Sequence, residues 1–294
     1  RLTHALKADV LLVTVTLLAA LGWVFSKEAV AGMPPLLFIG TRFLIAGLTL
    51  AIAGQGTIRQ LTPRQWSVAG GVGVLFAVAI MLWVLGLFYG PHLGEGAFIC
   101  SLSVVLVPVM AALFFKEKPA SEVWYAIPVA IGGLACLSLN HGLTLATGQL
   151  FYITAALVFS LQFNCNAVAV SRMPAIALTA IQLLVVGVIA LATSRVREIW
   201  PDHLPSAIWA WLLASAFITT SLRFFLLTYA QRFASASHAA VLMILEPVWT
   251  SLIGFFWYGE HMSGWQFTGC ALIFTALLIN RWRTLRQLIW NTPH

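Results

Sequence analysis

Ten long apolar stretches, separated by short polar joints, constrain the fold of this chain more than any other feature. A membrane-spanning helix needs about 20 predominantly apolar residues, and these stretches have about that length. Only 9% of the residues are charged, whereas soluble domains carry about 25%. The pattern predicts an all-α integral membrane protein in a lipid bilayer. Its ten transmembrane helices are predicted at roughly 8–26, 35–54, 66–88, 94–115, 122–139, 149–170, 174–194, 207–230, 235–257 and 263–282.

The positions of the positive charges indicate which way these helices run. Ten spans put both termini on one side, and eleven Lys and Arg residues fall on that side, against three on the other and two within spans. Short cytoplasmic loops are rich in Lys and Arg, so we predict that both termini are cytoplasmic. The net charge of +7 follows the helix ends and marks no basic domain, so we expect no nucleic-acid partner.

The two halves of the chain, 1–145 and 146–294, resemble each other. An ordered series of matches with one small change of offset indicates a duplication. Five helices are an odd number, so the second half would begin on the opposite side of the membrane, as in the inverted repeats of many transporters. We predict two inverted five-helix repeats in one transmembrane unit. The matches include Pro34 with Pro174 and Arg42 with Gln182 at an offset of 140, and Trp66 with Trp209 and Glu117 with Glu260 at an offset of 143.

Short motifs in both halves resemble a known superfamily. Lys27, "PP" at 34–35 and Arg42 stand in the first half, and "LEPVW" at 245–249 precedes "YGE" at 258–260 in the second. These residues resemble the drug/metabolite transporter superfamily in its EamA-type ten-helix form. The overall pattern, with many aromatic residues, is most similar to the aromatic amino acid exporters of that superfamily.

The resemblance implies a secondary transporter that exports aromatic amino acids and related small amphipathic or cationic compounds. It implies alternating access through a central cavity, a multi-pass location in the cell membrane, and a bacterial inner membrane in particular. We expect a monomer, no enzymatic activity, no cofactor and no metal. One departure from the family pattern is Ala19, where a tryptophan is usual, although Trp23 stands nearby.

Three ionisable residues lie deep within predicted spans, where such residues usually face a bundle interior or a wet cavity. A rise of about 1.5 Å per residue puts Arg42 about 12 Å and Glu246 about 14 Å from the outer face, and Arg223 about 11–13 Å from the inner face. Either arginine is therefore in reach of Glu246. Glu246 has three candidate roles: structural partner of an arginine, contact for a substrate ammonium, or proton-coupling group.

Two further residues are candidates for structural or gating roles. Arg42, considered alone, is predicted to be structural near the outer rim. Pro247 removes a backbone donor and bends the ninth helix, either as a static kink or as a hinge.

Aromatic, amide and thioether side chains near the middle of the spans are candidates for the cavity wall. An adaptable cavity of Met and aromatic residues suits a polyspecific exporter. Gln162 and Asn166 are four residues apart and share a helix face; interhelical hydrogen bonding is their alternative role. With Arg223 and Glu246, the candidate cavity residues are Trp23, Met81, Phe98, Gln162, Phe163, Asn166 and Phe224.

Other functions are distinguished by the residues that they need. An antiporter for phosphorylated sugars or nucleotide sugars on the same fold would need several cavity Lys or Arg residues. An intramembrane enzyme would need a cluster of acid/base or metal-binding groups, and the sequence has no such spacing. A passive channel is a further alternative from a different functional class.

Overall fold

The computed structural model describes residues 2–90, 92–139, 145–223, 226 and 244–290. All regular secondary structure within these ranges is helical. One segment, Phe217–Leu222, is a π-helix that continues directly from α9. The α-helices are α1 (Leu2–Val30), α2 (Pro35–Ala53), α3 (Gln55–Arg59), α4 (Pro63–Tyr89), α5 (Leu93–Phe114), α6 (Ser121–Leu139), α7 (Thr147–Val170), α8 (Ala175–Arg197), α9 (Ser206–Ala216), α10 (Leu245–Tyr258), α11 (Gly264–Asn280) and α12 (Trp282–Trp290).

Six of these helices are long and apolar enough to cross a membrane, namely α1, α2, α4, α5, α7 and α8. Three shorter apolar helices lie at 121–137, 206–222 and 264–280, and all nine coincide with predicted spans. Residues 227–243, which contain the end of the eighth predicted span and the start of the ninth, lie outside the described residues. The all-α, multi-pass architecture agrees with the sequence, while the total of ten spans and the cytoplasmic termini stay predictions.

Local sequence sets where several helices begin. Thr62 accepts a hydrogen bond from the Gln65 backbone N–H at 3.3 Å, and the Gln65 side chain accepts from the Thr62 N–H at 2.9 Å. Ser263 and Gln266 form the same reciprocal capping box at the start of α11. Such boxes satisfy backbone donors that a helix leaves free in its first turn. Each box therefore fixes the point where a polar joint becomes an apolar helix.

Hydrogen bonds between helix ends show how neighbouring helices run. Glu198, just after α8, accepts from the backbone N–H groups of Leu36 at 3.1 Å and Leu37 at 2.9 Å. The end of α8 therefore lies beside the start of α2, and the two helices are antiparallel. We call the end of the bundle where α1 begins and α11 finishes the terminal end. The other end, which holds Glu198 and Leu36, is the opposite end.

Glycines allow α2 and α8 to approach closely at two reciprocal points. A Cβ on Gly47 would lie 2.9 Å from the backbone nitrogen of Leu184, and a Cβ on Gly187 would lie 2.7 Å from that of Leu44. Both Gly47 with Gly187 and Leu44 with Leu184 are separated by the offset of 140 that relates the two halves. Small residues permit such backbone contact between membrane helices. The contact is therefore reciprocal: each helix presents a glycine to a leucine of the other.

Candidate functional site

A cavity of about 600 Å³ lies inside the bundle. Residues of α1, α2, α4, α5, α7, α8, α10 and the π-helical segment line it, together with Arg281 just after α11. It extends from Trp23 and Trp83 to Arg281 at the terminal end. The charged side chains among its described lining residues are Arg42, Arg223, Arg281 and Glu246.

Aromatic rings build the wall of this cavity nearest the opposite end. The ring of Trp23 packs edge-on against Trp83, with centroids 5.1 Å apart, and tilted against Tyr152 at 5.7 Å. Edge-to-face packing of this kind favours a fixed ring orientation. The Trp23 indole N–H donates to Glu246 Oε1 at 3.3 Å. Trp23 therefore joins the aromatic wall to the carboxylate of the motif "LEPVW".

Within the described part of the chain, Glu246 forms no ion pair with Arg42. It lies in the first turn of α10, where a negative charge is stabilised by the helix dipole. Glu246 therefore presents its carboxyl group to the cavity, beside the aromatic wall.

Arg42 lies in the cavity wall and not at a rim. Its side chain is only 6% exposed. It donates from Nε to Thr220 at 3.0 Å, from Nη1 to Ser26 at 2.9 Å and from Nη2 to Thr219 at 3.4 Å. The rings of Phe38 and Phe43 lie 5.8 and 5.4 Å from its guanidinium carbon. This position differs from the rim predicted for Arg42, because the estimate from helical rise located Arg42 only along the axis of its helix.

The π-helical segment explains how two consecutive threonines reach one arginine. The hydroxyls of Thr219 and Thr220 both donate to the carbonyl oxygen of Ser215, at 2.8 and 2.9 Å. In an α-helix, consecutive side chains are about 100° apart around the axis, whereas the wider π-turn changes that register. Segments of this kind occur often at functional sites. Here the segment directs both hydroxyl oxygens toward Arg42.

A chain of three amide side chains forms a neighbouring part of the wall. Gln162 donates to Gln182 Oε1 at 3.0 Å, and Gln182 donates to Asn166 Oδ1 at 2.8 Å. Gln182 is buried, and it is the position that matches Arg42 across the two halves. One matched position therefore carries a positive charge held by hydroxyls, and the other carries a neutral amide held by amides.

The structure brings most of the predicted cavity residues together. Trp23, Gln162, Phe163, Asn166, Arg223 and Glu246 all line the cavity. Phe224 lies outside the described residues.

Two predicted cavity residues, Met81 and Phe98, do not line this cavity, and neither does Pro247, for which a structural or gating role was predicted. Phe98 is buried and packs edge-on against Phe274, with centroids 6.4 Å apart. Met81 packs against the hydrophobic core. Pro247 is buried in the first turn of α10, a position where proline fits a helix without losing a hydrogen bond. The sequence therefore indicated how deep Met81 and Phe98 lie along their helices. It did not show which side of each helix faces the cavity.

Sequence reasoning missed several residues of the wall. Arg281 was counted only as a positive charge at the end of the last span, yet it lines the cavity. Gln182 carried a signal, because it matches Arg42 at an offset of 140. Thr219 and Thr220 carried none, because a π-turn cannot be read from the residue pattern.

A group of polar contacts ties helices together at the opposite end. Glu260, just after α10, lies 3.5 Å from the Lys27 ammonium and accepts from the Leu93 backbone N–H at 3.0 Å. Tyr258 donates to Glu28 at 2.7 Å. These contacts join the end of α1 to the end of α10 and the start of α5. We call Lys27, Glu260 and Leu93 the polar latch.

A second, smaller cavity of about 360 Å³ lies beside this latch. It contains Glu95, which is buried and accepts hydrogen bonds from Gln149 and, at 2.9 Å, from Gln266. Within the described ranges, no group of three His, Cys, Asp or Glu residues is arranged to hold a metal ion. Glu95 therefore belongs to a hydrogen-bonded cluster that links α5, α7 and α11.

Comparison with known proteins identifies several uncharacterized transporters that are similar in sequence. An uncharacterized transporter from Archaeoglobus fulgidus is 31% identical over 75 residues, which cover 26% of this chain and 27% of that protein. The uncharacterized Bacillus subtilis transporters YvbV and YwfM are 26% and 25% identical, over 74% and 90% of this chain and 69% and 91% of their own lengths.

A solved crystal structure of another protein has the same fold. It superposes with a TM-score of 0.63 at 18% sequence identity, over 95% of this chain and 99% of that one. The model of the EamA-like transporter family matches residues 6–139 and again residues 146–282. Together these two matches span nearly all of the helical bundle. The chain belongs to the EamA-like transporter family and is a multi-pass membrane transporter.

Proposed function

We propose that this protein is a secondary transporter that exports aromatic amino acids and related small amphipathic or cationic compounds. The observation that carries the proposal is a cavity that combines aromatic walls with charges of both signs. Its volume of about 600 Å³ is within the range of small-molecule sites, about 300–1,000 Å³. A zwitterion with an aromatic side chain needs each of these features.

The aromatic wall matches the side chain of such a substrate. Trp23, Trp83, Phe76 and Phe159 line the cavity, and the Phe76 and Phe159 rings lie 6.2 Å apart. Stacking and burial of apolar surface favour a flat ring here over a purely polar solute. Glu246 provides a partner for an ammonium group. The arginines provide partners for a carboxylate.

The direction of the cavity supports an inward-facing state. It reaches Arg281 at the terminal end, while the polar latch joins α1, α5 and α10 at the opposite end. If the terminal end is cytoplasmic, as the positive charges predict, the cavity lies toward the cytoplasm and the latch closes the outside. An exporter loads its substrate in this state.

Alternating access would follow from movement of the two halves about the cavity. The family model matches each half separately, at 6–139 and 146–282, and both halves contribute to the cavity wall. The reciprocal contact of Gly47 and Gly187 supports a pseudo-two-fold relation between the halves. Transporters built from inverted repeats hold their substrate at the interface between repeats.

One observation favours a second candidate substrate. Arg281 adds a third arginine to the described lining, beside Arg42 and Arg223. Three guanidinium groups would suit a phosphorylated sugar or a nucleotide sugar. Competition by sugar phosphates against a labelled amino acid therefore distinguishes the two substrates.

The proposal is tested with purified protein in liposomes. Labelled phenylalanine and tryptophan are supplied outside, with threonine as a polar control, and uptake is compared with protein-free liposomes. We expect uptake of both aromatic amino acids at a rate several times that of threonine. An absence of aromatic uptake would remove the substrate assignment. Repeating the assay with an imposed pH gradient shows whether protons drive transport.

A further inference from the structure

Arg42 carries a buried charge that has no carboxylate neighbour among the described residues. Its side chain is 6% exposed, and its hydrogen-bond partners are the hydroxyls of Ser26, Thr219 and Thr220. A buried charge is costly unless an opposite charge accompanies it. Hydroxyl groups satisfy hydrogen-bond donors but do not neutralise a charge. Arg42 therefore lies in the cavity wall as a cation suited to an anionic ligand.

Toward Arg42, the three hydroxyls can act only as hydrogen-bond acceptors. Each hydroxyl has one proton, and each proton is already committed to a backbone carbonyl. Ser26 donates to Gly22, and Thr219 and Thr220 both donate to Ser215. Their remaining lone pairs therefore accept from the guanidinium. These three hydroxyls therefore fix the orientation of the Arg42 guanidinium before a ligand binds.

Arg42 has more donors than its three hydroxyl partners use. A guanidinium has five N–H groups, one on Nε and two on each terminal nitrogen. Nε, Nη1 and Nη2 each give one N–H to a hydroxyl in the described part of the chain. Among the described residues, one N–H on Nη1 and one on Nη2 therefore have no hydrogen-bond partner. Donors on the two terminal nitrogens of one planar guanidinium are the groups that can bind both oxygens of a carboxylate.

We propose that Arg42 is the receptor for the carboxylate of transported amino acids, so that molecules with a carboxylate bind more tightly than amines of the same shape that lack one. This inference rests on the proposed function and deepens it. Ser26, Thr219 and Thr220 are positioning residues that act through Arg42. Glu246 lies in the same cavity and is left to contact the ammonium of an amino acid.

The wild-type protein tests the inference with matched ligands. Purified protein in liposomes takes up labelled phenylalanine while unlabelled competitors are added: phenylalanine, 3-phenylpropionate, phenethylamine and glucose 6-phosphate. We expect the amine, which lacks the carboxylate, to compete about 10- to 100-fold more weakly than phenylalanine. Equal competition by phenethylamine overturns the carboxylate receptor but leaves aromatic transport intact. Stronger competition by the sugar phosphate overturns it in favour of a phosphate site. No uptake of phenylalanine by wild type is a failure of the proposed function itself.

Variants separate positioning from folding. Thr219→Val with Thr220→Val removes two acceptors while keeping side-chain shape. We expect KM for phenylalanine to rise about tenfold or more, with the inhibition constant of phenethylamine within about twofold of wild type. A merely structural role would weaken acid and amine equally, and that result overturns the inference. Arg42→Lys keeps the charge but loses the donors on two terminal nitrogens, and we expect it to restore only part of the selectivity for acids over amines that Arg42→Gln loses.

Discussion

Trp23 on α1 donates its indole N–H to Glu246 on α10 at 3.3 Å, within a cavity that both residues line. The two residues belong to different halves of the chain, 223 positions apart. A movement of one half against the other therefore changes this contact. The hydrogen bond links the carboxylate that is a candidate for substrate binding to the aromatic wall of the same cavity.

Neutralising Glu246 tests whether its charge or its hydrogen bond matters. Glu246→Gln keeps an acceptor for Trp23 and removes the charge that we assign to a substrate ammonium. We expect initial uptake of labelled phenylalanine to fall about tenfold or more, since charge-assisted hydrogen bonds contribute about 1.5–3 kcal/mol. Phe256→Leu, at an exposed position of the same helix, is the matched control and should retain wild-type uptake. Equal uptake by both variants would end the case for Glu246.

The sequence predicted Glu246 for a physical reason. A charge within an apolar span is costly, so its presence marks an interior or a cavity. The same rule selected Arg42 and Arg223, and all three line one cavity. Depth along a helix follows from residue number, which is why these residues were expected near one another.

Which face of a helix meets the cavity could not be predicted so well. In a soluble helix the polar face marks solvent, but here lipid and protein interior are both apolar, so the residue pattern carries little information on rotation. Met81 and Phe98 were selected by depth and chemistry, yet neither lines the cavity. The polar partners Gln162 and Asn166, in contrast, were located by their spacing on one face of α7.

The polar latch is expected to hold the opposite end closed. Glu260→Gln removes the ion pair with Lys27 and weakens the bond to the Leu93 N–H. We expect the opened end to admit a membrane-impermeant thiol reagent to Cys100, which lines the cavity. In a variant whose other three cysteines are replaced by alanine, the labelling rate from that side should rise several-fold.

The matched control for the latch is the ion pair of Arg283 and Glu122, which lies at the terminal end. Glu122→Gln should leave labelling from the opposite end unchanged. Should Glu260→Gln and Glu122→Gln label at the same rate, the latch does not control access.

The reciprocal glycine contact predicts a specific pattern of destabilisation. A side chain on Gly47 or Gly187 meets the backbone of the facing helix, so Gly47→Leu and Gly187→Leu must separate α2 from α8. Overpacking typically costs about 1–3 kcal/mol, and backbone contacts relax poorly. We expect a lower melting temperature for both variants in detergent. Gly70→Leu is the control, because a Cβ there meets no described atom within 4 Å, and its melting temperature should match that of wild type.

We expect Gln182 to stabilise the folded protein through its two hydrogen bonds in the cavity wall. Gln182→Leu removes both hydrogen bonds of the amide chain and leaves Gln162 and Asn166 without their central partner. Buried polar groups that lose a partner cost about 1–3 kcal/mol. We expect a melting temperature several degrees below wild type, whereas Gln287→Leu, on the exposed face of α12, should change it little. Equal melting temperatures for Gln182→Leu and wild type would show that the hydrogen bonds between the three amide side chains contribute nothing to stability.

Counterflow tests the central claim most directly, because only a carrier with alternating access exchanges one substrate molecule for another. Liposomes that contain the purified protein are loaded with millimolar unlabelled phenylalanine and diluted into a trace of labelled phenylalanine. The account predicts a transient accumulation of label above equilibrium, which Glu246→Gln reduces. Label that rises only to equilibrium would indicate a channel, and no entry of label would contradict transport of this substrate altogether.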